Sequence, residues 1–223
     1  MTTPDDIAAR LRAALSAPSS SDRLQAALAA GTHPNPLYVD VLVERSAIEP
    51  DFYVRDMLTW SLTRHPASIT VPLLLRETQA VGDQARSQAL HSLSKIGHPD
   101  GYRPARALLR DDVDEVARAA WRTAVALVPE GSEADLAFEL ATQLGRGDRS
   151  LQQSLSRALA GLGSAAEEVL TDAAAHGTPD VRVHAIATRR LVDDPDESFE
   201  AAVWEAKRFV ALESAPAAPD VED

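Results

Sequence analysis

Apolar residues recur along this chain at three- and four-residue steps, and Pro or Gly interrupts them at regular points. Such spacing puts apolar side chains on one stripe of a helix. One helix type opens at Ser21, Asp51, Gly82, Asp114, Asp148 and Asp180. Three residues later come Leu24, Val54, Ala85, Ala117, Leu151 and Val183, then Gln25, Arg55, Arg86, Arg118, Gln152 and His184. Each helix runs toward a breaker column of Pro36, Pro66, Gly97, Pro129, Gly163 and Pro195. A Ser or Asp start caps free amides, and Pro or Gly stops the helix. Between these helices, 37–47, 67–80, 101–110, 132–144 and 165–176 carry the same periodicity. A first helix starts at Thr3 and a last one spans 197–212. No stretch alternates with period two, so no strand is predicted.

A unit of about 32 residues repeated this often is the signature of stacked helical hairpins. The runs 51–62 and 93–125 resemble the HEAT-repeat family, in its short units of about 31 residues that also occur in phycobilin lyases. The resemblance covers roughly residues 20–195. It implies an all-α fold: a right-handed α-solenoid of about six antiparallel helix pairs, the second helices lining a concave surface. It also implies binding rather than catalysis. Gly82 replaces the usual acid, and Gln25, Gln152 and His184 replace the usual arginine. On this reading residues 1–212 form one domain closed by a C-terminal capping helix. Residues 213–223, made of Ala, Pro and acids, form a disordered tail.

Composition narrows the chemistry. The chain has 223 residues, 45% hydrophobic but only 4% aromatic, so Ala, Leu and Val must build the core. Thin helix pairs stacked closely favour such small residues. No cysteine is present, which excludes disulfides, thiolate nucleophiles and Cys-ligated metals. A net charge of −12 opposes binding to phosphate backbones. The acidic N-terminus lacks the features of a secretory leader, and no apolar run approaches the roughly 20 residues of a membrane span. A cytoplasmic location is expected. Arginine greatly exceeds lysine, as in proteins of GC-rich bacterial genomes.

Catalytic motifs are missing. The six histidines show no metal-ligand spacing, no Gly-x-Ser-x-Gly elbow exists, and the acidic runs near 111–115 and 193–197 lack calcium-loop spacing. No cofactor is expected. Two charged sets remain. Asp51, Asp114, Asp148 and Asp180 with Arg55, Arg86 and Arg118 are expected to form a structural ladder, the acids capping helices and the arginines bonding neighbouring units. On the face opposite the apolar stripe, Trp60, His91, Arg122, Arg157 and Arg189 suggest an aromatic anchor beside cations in an otherwise acidic molecule. The expected function is a noncatalytic scaffold or adaptor that holds a protein partner of acidic or mixed surface on its concave face. The alternatives are a phycobilin-lyase-like protein with a small ligand, and a DNA-binding HEAT-like protein.

Overall fold

The computed structural model describes residues 4–194 and 196–213. Within these residues the chain forms thirteen α-helices and no strand. It divides into two compact units, Met1–Glu130 and Gly131–Asp223, where the sequence suggests one array. The expected tail beyond Glu213, and Pro195 of the breaker column, lie outside the described residues.

The first unit contains α1 (Pro4–Ala14), α2 (Ser20–Thr32), α3 (Val39–Ser46), α4 (Phe52–Thr63), α5 (Ala67–Glu77), α6 (Asp83–Ile96), α7 (Tyr102–Ala107) and α8 (Asp114–Leu127). Helices α2, α4, α6 and α8 pack one on the next, while α3, α5 and α7 each pack against the helix that follows. The core between these layers is aliphatic: Leu15, Leu42, Val54, Leu58, Leu62 and Leu93 are all buried. Trp121 is the large exception, fully buried with its indole N–H donating to Leu109 O at 2.9 Å.

Small residues let the α2–α4–α6–α8 layer close up. A Cβ on Gly31 would stand 2.3 Å from Trp60 Cζ3 and 2.9 Å from the Ser61 Cα, so α2 and α4 meet almost backbone to backbone. Farther along, Thr59 Oγ1 lies 3.3 Å from Ser92 Oγ, and the buried Thr123 hydroxyl donates to Leu90 O at 2.9 Å. These buried hydroxyls between α4, α6 and α8 are tolerated because each finds a partner, whereas Ser61 Oγ at the Gly31 crossing has none among the described residues.

An ion cluster ties α2 to the α3–α4 turn. The Glu49 carboxylate is 0% exposed. Arg23 donates to it twice, at 2.9 and 2.7 Å, and Arg45 twice, at 2.8 and 2.6 Å. The Asp51 amide adds a bond at 2.9 Å. Burial alone would raise the Glu49 carboxyl, but the bonds from Arg23, Asp51 and Arg45 outweigh it and hold the group at about 2.

The second unit contains α9 (Glu133–Ala141), α10 (Arg149–Ala160), α11 (Glu167–His176), α12 (Pro179–Asp193) and α13 (Phe199–Glu213). Here α10, α12 and α13 pack in succession, with α9 and α11 against each other. The last helix extends one residue past its expected end, because Glu213 pairs with Arg182 of α12. His184, 1% exposed, locks this unit. Its Nδ1 accepts the Gly145 amide at 3.0 Å, so the proton sits on Nε2, which lies 3.0 Å from Gln152 O and 3.0 Å from Ser156 Oγ. Burial, with a further push from Arg149, lowers His184 to about 4 despite the bond to Gln152.

Two outcomes follow. Gly31→Ala gains helix propensity of about 1 kcal/mol, yet it overpacks against Trp60 and the α4 backbone. Overpacking typically costs about 1–3 kcal/mol, so a lower melting temperature is expected, and an unchanged or higher one would contradict the close crossing. His184 has a folded value below its unfolded one, so the unfolded chain binds the extra proton first. The stability it supports is complete above pH 6.5 and is lost as pH falls toward 4, by up to about 3 kcal/mol. Urea-unfolding free energies measured across that window should show this slope, and His184→Gln should flatten it. A variant that keeps the wild-type slope would remove His184 as its source.

Candidate functional site

Backbone carbonyls in the connecting turns have no helical ladder to join and need other partners. Arginines supply them at the turns leading into the inner helices. Arg55 Nη1 donates to Glu49 O and Pro50 O at 2.9 and 2.8 Å, and Arg86 Nη1 to Ala80 O and Val81 O at 3.2 and 3.1 Å. Arg23 Nη1 does the same for Ala17 O and Pro18 O, at 3.0 Å each. Arg182 Nε donates to Ala174 O at 2.8 Å.

In the expected ladder the arginines bond the neighbouring unit, and Arg86 does so, its Nη2 donating to Asp111 Oδ1 at 3.4 Å in the turn before α8. Arg55 and Arg86 also clamp the turn that precedes their own helix. Where the column offers Gln25 and His184, the arginine stands two residues earlier, at Arg23 and Arg182. The first helix therefore takes its cap from Ser19, not Ser21, with Ser19 Oγ accepting the Asp22 amide at 3.4 Å. Among the acids, Asp51 and Asp148 do cap α4 and α10. Asp114 and Asp180 lie inside the first turns of α8 and α12, behind Val113 and Thr178, where they complement the helix dipole. Arg118 lies 3.7 Å from Glu115 on its own helix.

A groove of about 550 Å³ runs across α4, α6 and α8. Helix α4 supplies Phe52, Arg55 and Asp56 to its walls, and α6 supplies Asp83, Gln84, Ser87, Gln88 and His91. Helix α8 supplies Glu115, Arg118, Ala119 and Arg122. Most of these charges are engaged. Arg55 is held by the turn carbonyls and stands 5.9 Å over the Phe52 ring. The groove's Asp83 pairs with Arg86 at 2.9 Å. Gln84 and Gln88 donate to Glu49 O and Thr59 Oγ1, both at 2.8 Å.

Arg122 differs: among the described residues its guanidinium makes no hydrogen bond or ion pair. Burial, then the like charge of Arg118, lowers its proton affinity, against a pull from Glu115. Across the groove His91 is half-buried. Burial, then Arg122 and Lys95, push it below its ordinary value, with Asp56 pulling the other way.

Of the stripe residues named from sequence, His91 and Arg122 come together in this groove. Trp60 lies outside its lining, 38% exposed and laid over Gly31. Arg157 is exposed on α10, and Arg189 borders a small hollow of about 30 Å³ with Glu167 and Asp193. In the register counted from Asp114, α8 presents Thr123 rather than Arg122, yet Thr123 is buried. The α8 cap sits one residue earlier, at Val113, which brings Arg122 into line with Trp60 and His91.

Ser156 and His184 form a pair that no sequence motif connects, but its geometry opposes nucleophilic catalysis. Both are buried, and Nε2 carries the proton, so it cannot take one from Ser156. Among the described residues no cluster of His, Asp and Glu could hold a metal, and no helix is long and apolar enough to cross a membrane.

No family model matches this chain, and no curated protein matches it. Among solved structures it is similar to two engineered proteins of the Northeast Structural Genomics Consortium, targets OR329 and OR366. The first is 17% identical at a TM-score of 0.47, over 91% of this chain and 96% of the other. The second is 16% identical at a TM-score of 0.46, over 85% and 98%. Both likenesses are too distant to carry function.

Proposed function

We propose that the chain is a noncatalytic, HEAT-like binding module: a right-handed solenoid of about six antiparallel helix pairs capped by α13. In this reading the α4–α6–α8 groove holds a protein partner of acidic or mixed surface. The observation that carries it is Arg122, a cation left without a partner inside a groove whose other charges are largely engaged. The alternation of helices along the chain, with inner helices packed in succession within each unit, supports the repeat reading. Trp60, Arg157 and Arg189 would extend the recognition surface within their own units.

The groove volume also falls in the range of small-ligand sites, about 300–1,000 Å³, which favours a small-molecule reading. Such sites are mainly apolar, however, and this lining is mostly charged or amide-bearing. A peptide segment suits it better.

Affinity capture from native lysate tests the assignment. Wild type and Arg10→Ala, a change on the exposed face of α1, should retain a common partner, and a His91→Ala/Arg122→Glu double variant with an unchanged thermal melt should lose it. Identical partner sets for all three proteins would overturn the groove reading.

A further inference from the structure

On the groove wall His91 of α6 faces Arg122 of α8, a guanidinium without a hydrogen bond or ion pair among the described residues, and Lys95 lies just outside the lining. His91 and Lys95 are one turn apart on α6 and so share a face. Arg122 reaches toward them from α8, close enough that both cations act on His91. From α4 the only opposing charge acting on His91 is Asp56. Glu115 and Arg118 lie on earlier turns of α8 and are within 3.7 Å of each other. Arg122 and Lys95 act on His91 against Asp56, and the one further acid acting on Arg122, Glu115, is itself shared with Arg118 beside it.

We infer that the His91–Lys95–Arg122 corner is a binding subsite for a compact anionic group, either a carboxylate pair or a phosphoryl group carried by the partner. The inference rests on the groove reading above and adds the chemistry that the groove selects. Arg122 supplies two parallel N–H donors matched to such oxygens, while Lys95 acts as a more mobile point charge. His91 gives the corner a proton-linked response. Empty, the site repels a proton from the imidazole. An anion between His91 and Arg122 offsets that repulsion and accepts an N–H bond, so binding should draw a proton onto His91. Affinity therefore rises as pH falls through the histidine range.

Histidine Cε1–H NMR titrations of the whole chain test this, with inorganic phosphate and glutarate as probes at fixed ionic strength. A saturating probe should raise the His91 midpoint by about half a pH unit or more, and that of the exposed His176 by less. Arg122→Gln should weaken probe binding by about tenfold or more with an unchanged melt. Asp56→Asn should strengthen it. A larger effect of phosphate assigns a phosphoryl group, and a larger effect of glutarate assigns acidic side chains. If neither probe moves His91 more than His176, or if Arg122→Gln responds like wild type, the subsite is overturned. Partner capture that still depends on Arg122 would then leave the groove reading standing. A probe response without any captured partner would overturn that reading and leave the subsite.

Discussion

Unpaired carbonyls in the turns between helices are the constraint on which this structure turns. Its helices are short, so turns are frequent, and their backbone oxygens lie outside any helical ladder and need other partners. The chain spends arginines on the problem. Arg23, Arg55 and Arg86 each bond two consecutive carbonyls with one Nη1, and Arg182 bonds the last turn of α11. A guanidinium suits this role because its planar fork offers several donors and keeps its charge when partly buried. A lysine ammonium could reach two carbonyls, but it lacks the separate fork nitrogens with which Arg23 and Arg86 also grip Glu49 and Asp111. The arginine-rich composition, read from sequence as a genomic bias, therefore also has structural work.

The same demand explains the buried Glu49. Arg23 clamps the α1–α2 turn with one nitrogen and grips Glu49 with two others, while Arg45 grips Glu49 from the helix before. A turn carbonyl, a neighbouring helix and a carboxylate thus become one unit. Isolated buried ion pairs are often no better than apolar packing, because desolvation consumes the attraction. Here Glu49 accepts five hydrogen bonds, and this dense coordination lowers its carboxyl to about 2. Removing one member would leave a buried charge exposed to the full desolvation penalty.

Much of the helical pattern was legible in the sequence, because it rests on local signals. Helices α4, α5, α11 and α12 fall close to where apolar spacing and breakers place them. The register of capping was less legible. Ser19 and Ser21 are both competent caps, as are Val113's backbone position and Asp114's side chain, and only packing against the previous turn selects between them. That choice moves Arg122 onto the groove face and buries Thr123. Trp60 was misleading for a related reason. Its column faces away from the apolar stripe, but Gly31 on α2 opens a close crossing that the ring covers. Neither Glu49 nor the Ser156–His184 contact has a sequence signal, since each depends on residues more than twenty positions apart meeting across turns.

The division of arginines also bears on what the molecule can hold. A chain of net charge −12 repels an extended polyanion over distances comparable to the screening length, about 8 Å at physiological salt. A single compact anion meets that field only briefly on approach, and in contact it is governed by its nearest neighbours. In the groove those neighbours are Arg122 and His91, with Lys95 just beyond the lining, because Arg55 and Arg86 are already committed to carbonyls. On the proposed reading, the long-range field would oppose nucleic acid while the short-range field would favour an isolated carboxylate or phosphoryl group. Specificity of that kind needs no large basic patch. It needs one arginine that the fold has not already spent.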